Sequence, residues 1–104
     1  MATCTAPGHS SCTITCPNGC GAMYTEPNGP CRTMCSGSAA VQIDPNERFS
    51  IQINDMPASD VERIFGGSFP SALLAKLKTS NKPVSLTLQD VSLAELSEAI
   101  EKAL

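Results

Sequence analysis

The chain has 104 residues and a formal net charge of −3, with 10 acidic and 7 basic side chains. Nucleic acids and anionic membranes attract basic surfaces, so this balance argues against both as partners. The length suits one domain or two very small ones, and no apolar run is long enough to insert into a membrane. A protein partner remains, and the composition does not specify which.

The first residues predict a protein that stays in the cytoplasm. Residues 1–12 lack the charged leader and apolar run that a signal peptide requires. A mature periplasmic or secreted chain, from which a signal peptide had been removed, would show the same pattern. The choice matters, because a reducing cytoplasm favours metal binding by cysteines, whereas an oxidising compartment favours disulfides.

All six cysteines and the only histidine lie within residues 1–36. The large apolar side chains of this segment are few: Ile14, Met23, Tyr24 and Met34. A segment so short and so poor in apolar groups cannot close a core by hydrophobic burial alone, and relies on a metal or on disulfides. We therefore predict a small, loop-rich N-terminal module that its cysteines hold together.

Zinc is the metal that this segment fits best. Two brackets of the form Cys-x-x-x-Cys have a short spacing that suits tetrahedral thiolate sites. Zinc binding would also supply the folding free energy that the missing core does not. Seven ligands fill two tetrahedral sites if one thiolate bridges them, so we expect one or two structural zinc ions. The candidate ligands are Cys4, His9, Cys12, Cys16, Cys20, Cys31 and Cys35.

Two other uses of the cysteines stay open. Three disulfides would serve instead of zinc if the protein is exported, and the sequence does not choose among the fifteen connectivities that six cysteines allow. An iron–sulfur cluster is the third option, although the Cys-x-x-Cys runs of ferredoxins are absent.

Two Pro-Asn-Gly triplets, at residues 17–19 and 27–29, predict tight turns. The first leads directly to Cys20 and the second leads through Pro30 to Cys31. Each turn therefore delivers a cysteine at its end.

The cysteine-rich segment contains no evident set of catalytic groups. Glu26 is its only carboxylate, and His9 has no second histidine with which to relay a proton. A catalytic metal needs an open coordination position with a nearby acid or base, and thiol redox catalysis typically uses Cys-x-x-Cys. We therefore expect a non-enzymatic protein, in which Tyr24 covers the metal site.

Residues 37–48 are predicted to form a linker. Residues 36–40 are small and polar, which is typical of a joint between two modules. The alternation Val-Gln-Ile at residues 41–43 can add a short edge strand, which Asp-Pro-Asn at residues 44–46 would end.

The rest of the chain contains an internal repeat, in which residues 49–61 align with residues 84–96. Each unit begins with alternating apolar side chains, which predict a half-buried strand, and then turns at an aspartate into a helix. The alternating residues are Phe49, Ile51 and Ile53 in the first unit and Val84, Leu86 and Leu88 in the second.

Three helices are predicted in this part of the chain. The first is short, because Gly66 and the glycine after it end the helix. The second is restarted by residues 68–70 and carries three leucines. The last covers about residues 93–104 and begins at a capping box formed by Ser92 and Glu95.

Two strand-to-helix sequences, FSIQINDMP at residues 49–57 and VSLTLQDVSLAEL at residues 84–96, are typical of one family. On these motifs, residues 49–104 resemble the short N-terminal domain of secretins and TonB-dependent receptors. The resemblance implies a periplasmic module for protein–protein contacts, with no catalytic residues. It also implies an oxidising compartment, which favours disulfides over zinc.

These observations together predict an α+β protein. A cysteine-held, zinc-binding module at residues 1–36 is followed by a compact βααβα module at residues 49–104. The expected function is non-enzymatic, with structural zinc in the first module and a protein-interaction surface on the second. The alternative is an exported, disulfide-stapled module that acts in binding or at the cell envelope.

Overall fold

A computed structural model describes residues 1–38 and 43–103, with the side chain of Ala103 left out. The predicted edge strand at residues 41–43 therefore lies largely outside the described residues, as does Leu104. The elements in chain order are β1 (Ala2–Thr5), β2 (Thr13–Cys16), β3 (Cys20–Glu26), β4 (Cys31–Cys35), β5 (Arg48–Met56), α1 (Ala58–Phe65), a 3₁₀ turn (Gly66–Ser68), α2 (Ser71–Ser80), β6 (Val84–Ser92), a 3₁₀ turn (Leu93–Glu95) and α3 (Leu96–Ala103).

The six strands form two antiparallel sheets. β1 and β2 make a two-stranded sheet, and the other four strands pair in the order β4-β3-β5-β6. The predicted α+β class is confirmed. The cysteine-rich segment, which we expected to be rich in loops, forms four short strands, and two of these belong to the same sheet as β5 and β6.

The four-stranded sheet carries the helices on one face and, over β3, β4 and β5, the strands β1 and β2 on the other, and the alternation along β3 shows how. Met23 points to the face that carries the helices and joins the main apolar core. Cys20 and Ala22 join a second buried cluster, which the sheet shares with β1 and β2. Because successive side chains of a strand point to opposite faces, one strand can seal two layers at once. The molecule is thus a stack of a two-stranded sheet, a four-stranded sheet and a layer of helices.

The main core lies between the four-stranded sheet and the helices. The six alternating apolar residues predicted from the repeat are all buried there, as expected. Each such side chain stabilises the fold by roughly 1.5–3 kcal/mol when it is fully buried. The buried members that come from the helices are Ala58, Val61, Ile64, Phe65, Leu74, Leu96 and Ile100.

The order β5-α1-α2-β6-α3 matches the predicted βααβα module. Gly66 ends α1 with a φ of 59°, a backbone conformation that is open to glycine at little cost. Asn81 ends α2 with a φ of 52°, which asparagine tolerates better than most residues.

The internal repeat is visible as a local two-fold relation between β5 and β6. Each strand contains a bulge at an aspartate of positive φ, 56° at Asp55 and 51° at Asp90. The Asp55 N–H donates to the Ser85 hydroxyl at 3.1 Å, and the Asp90 N–H donates to the Ser50 hydroxyl at 3.0 Å. The same type of bulge therefore changes the direction of the chain at both points where a strand approaches its helix.

The predicted capping box at the last helix is wrong. The Ser92 side chain makes no capping hydrogen bond to the backbone; its hydroxyl donates to Glu95 Oε1 at 3.3 Å. The same Glu95 oxygen accepts from Arg48 Nη1 at 2.7 Å, so an ion pair to β5 replaces the capping role of this glutamate. The first turn is accordingly 3₁₀, and α3 begins at Leu96.

Candidate functional site

All six cysteines are joined in three disulfides: Cys4–Cys20, Cys12–Cys31 and Cys16–Cys35. Each bond connects the β1–β2 side of the molecule to β3 or β4 of the larger sheet. This result supports the disulfide alternative and leaves the expected zinc without support. Cysteine sulfurs joined in a disulfide are no longer thiolates, and the thiolate is the form that binds metal.

Two of these disulfides explain the paired brackets in the sequence. Cys12 directly precedes β2 and Cys16 ends it, Cys31 and Cys35 are the two ends of β4, and both bonds have the same sequence separation of 19. Residues four apart on a strand point to the same face, so two facing strands with equal brackets form two rungs. Equal spacing was therefore a signal for facing strands, which the assumption of tetrahedral sites concealed.

The histidine that we expected as a seventh ligand belongs to a different arrangement. His9 Nε2 lies 2.8 Å from Glu26 Oε2, and the imidazole ring stacks on Tyr24 with 3.5 Å between ring centroids and 10° between planes. Across residues 1–38 and 43–103, no group of three or more His, Cys, Asp or Glu side chains is placed to hold a metal ion.

The Glu26 carboxylate connects the two sheets. Its Oε2 atom accepts a hydrogen bond of 2.6 Å from the Ser50 hydroxyl as well as the contact from His9. Ser50 in turn accepts the Asp90 N–H. The loop between β1 and β2, β3 and β5 therefore meet at one carboxylate oxygen, and β6 is linked to it through the Ser50 hydroxyl. The hydrogen bond from Ser50, followed by that from His9, holds the pKa of Glu26 below its ordinary value.

Arg48, which also lines the cleft described below, forms ion pairs with two acidic side chains, Asp90 and Glu95. Its Nε donates to Asp90 Oδ1 at 2.8 Å, its Nη1 donates to Glu95, and its Nη2 donates to the Asp90 carbonyl. These bonds raise the pKa of Arg48, chiefly through Glu95, and the bond from Arg48 lowers the pKa of Glu95. The guanidinium is therefore held by three acceptors on the second repeat unit.

These groups surround a polar cleft of about 510 Å³, which we call the His9–Arg48 cleft. It lies where the disulfide-linked layer meets the end of the four-stranded sheet. Its lining residues are Pro7, Gly8, His9, Glu26, Pro27, Arg48, Gln89 and Asp90.

His9 and Glu26, which line the His9–Arg48 cleft, lie next to the buried Ser50 in an order unlike that of a nucleophilic triad. In such a triad the histidine accepts the serine proton and the carboxylate orients the histidine. Here Glu26 lies between Ser50 and His9, and Ser50 is fully buried. The geometry suits a structural junction with a polar outer rim.

Sequence reasoning named His9, Glu26 and Tyr24 but did not foresee that they would meet. It missed Ser50, Arg48 and Asp90 as parts of the same site. A signal did exist, because Ser50 and Ser85 occupy equivalent positions of the repeat, as do Asp55 and Asp90. Their shared role appears only once β5 and β6 are paired.

No protein-family model, curated protein or solved structure matches this chain. Among the helices that the structure describes, none has the length and apolar character needed to cross a bilayer. The site must therefore be interpreted from its own geometry.

Proposed function

We propose that this protein is an exported, disulfide-stapled module whose role is to bind a partner protein. The pairing of all six cysteines carries this proposal. Such disulfides persist in the periplasm or outside the cell, whereas the cytoplasm reduces them. An oxidising location is accordingly a better fit than the cytoplasm.

The burial of the disulfides supports a constitutive structural role for them. Cys4, Cys12, Cys16 and Cys20 are completely buried and make up most of the second cluster. The other members of this cluster are small or only partly buried, so the disulfides replace the apolar side chains that the segment lacks.

A binding role is supported by the way in which the polar groups of the His9–Arg48 cleft are used. Glu26 and Arg48 are each hydrogen-bonded to neighbouring side chains, which fixes their positions at the cleft. A rim of fixed polar groups is typical of surfaces that contact other proteins. The resemblance of residues 49–104 to the short domain of secretins and TonB-dependent receptors supports the same class of function.

Mass spectrometry and thiol counting of the purified full chain test the proposal. The denatured, unreduced chain should carry no titratable thiol, and its mass should be lower than that of the reduced chain by two hydrogens for each disulfide. Digestion without reduction should recover the Cys4–Cys20 peptide pair as a marker of the connectivity. Free thiols together with bound zinc in protein isolated from its native compartment would overturn the proposal.

A further inference from the structure

The outer edge of β6 is the longer of the two edges of the four-stranded sheet among the described residues. β6 lies at the end of the order β4-β3-β5-β6, spans nine residues and pairs only with β5 within the described chain. Between Val84 and Gln89 it carries no charged side chain. Charged residues on an edge strand normally prevent association, so this edge is suited to pair with another strand.

The internal repeat indicates how an added strand would lie. β5 and β6 are related by a local two-fold, and β5 carries β3 along its outer edge in antiparallel pairing. The same relation places an antiparallel strand along the outer edge of β6. Ser85 of β6, which is the counterpart of Ser50 in β5, is exposed.

We propose that this strand is β6 of a second copy of the chain, paired antiparallel about a two-fold axis at Leu86. This register sets Val84 opposite Leu88 and Ser85 opposite Thr87, so apolar meets apolar and polar meets polar. It joins two four-stranded sheets into one continuous sheet with both helix layers on the same face. The inference does not rest on the proposed binding role of the His9–Arg48 cleft, although the pairing would bring Lys82 of the second copy to Asp90, which lines that cleft.

Charge complementarity selects this register over its neighbours. Lys82, which is exposed just before the strand, reaches the bulge at Asp90 of the second copy, and this approach occurs twice because the interface is isologous. The Asp90 carboxylate is 61% exposed beside Arg48, which leaves it accessible to a second cation. A shift by two residues in one direction would set Val84 opposite Asp90, and in the other direction it would set Lys82 opposite Leu88.

Sedimentation equilibrium combined with hydrogen exchange tests the dimer on the full, oxidised chain. The mass should rise with concentration from 10.9 kDa towards twice that value. Amides of β6 should exchange more slowly in the concentrated sample than in the dilute one, whereas amides of β4, at the opposite edge, should not change. A chain that stays monomeric at millimolar concentration, or a dimer that protects another region, would overturn the inference.

Two variants locate the interface by charge. Lys82→Glu sets two carboxylates opposite one another at both ends of the pairing and should weaken dimerisation roughly tenfold. Lys76→Glu, an equal charge change at an exposed position of α2, is the matched control and should leave the dimer intact. Thr87→Lys, exposed near the two-fold axis, should abolish dimerisation. Equal effects of Lys82→Glu and Lys76→Glu at low and high salt would contradict the proposed register.

Discussion

The two faces of the central sheet are closed by different means. On one face the helices cover Phe49, Ile51 and Ile53 with apolar side chains; on the other, β1 and β2 are held against β3 and β4 by disulfides. Cross-links stabilise the first layer, formed by β1 and β2, chiefly by restricting the unfolded chain, whereas burial of apolar area stabilises the helix-covered layer in the folded state. A small protein can thus add a layer that its composition could not hold by packing.

Reduction of the three disulfides should produce the largest difference between the two layers. Each bond closes 16 to 19 residues of chain, and loss of one native disulfide from a small domain costs roughly 2–5 kcal/mol. We expect amides of β1 and β2 to lose protection first under dithiothreitol in hydrogen exchange, before those of β5.

The chelator EDTA serves as the control for this experiment. Chelation alone should leave the exchange rates of both layers unchanged, because cross-links rather than metal hold the first layer. A layer that melts in EDTA without reductant would show that metal contributes to the native protein after all.

Truncation of one isoleucine in each layer sharpens the comparison. Ile53→Ala removes a completely buried side chain from the helix-covered core and should lower the free energy of unfolding by roughly 2–5 kcal/mol. Ile14→Ala, in the partly buried position of β2, should lower it by about 1 kcal/mol or less. Chemical denaturation of the oxidised variants measures both values, and equal losses would contradict a covalently held first layer.

Acidification should cause the smallest effect, localised at the junction of the layers. Ser50 and then His9 hold the pKa of Glu26 below its ordinary value, so ionised Glu26 stabilises the fold above the ordinary pKa of a glutamate. That contribution is lost as the pH falls through the lowered pKa of the folded state. Urea midpoints at about pH 7 and about pH 3 should therefore show a Glu26→Gln penalty that shrinks in acid.

The matched control for acidification is Glu101→Gln, at an exposed position of α3. Its effect on the urea midpoint should be small at both pH values, because an exposed charge on a helix contributes little to stability. A Glu26→Gln penalty that is the same at neutral and acid pH would show that the carboxylate does not act through its ionised form.

The sequence by itself determined the helix-covered half of the molecule. The signals there are local: the alternation at Phe49, Ile51 and Ile53, its recurrence in β6, and the glycine after α1. Each depends on neighbouring residues only, so it can be recognised in the sequence. The Ser92–Glu95 capping box was a local signal that failed, because Arg48 offered Glu95 a stronger, charged partner from a distant strand.

Only the tertiary structure decided how the cysteines are used and where the site lies. The four strands of the cysteine-rich segment are short and poor in apolar side chains, so hydrophobic periodicity did not predict them. The choice between zinc and disulfides depends on which sulfurs face one another, and pairings such as Cys12–Cys31 connect residues that local pattern cannot bring together. The contacts of Glu26 with His9 and Ser50 likewise require three chain segments to be in place, because hydrogen bonds act only at short range.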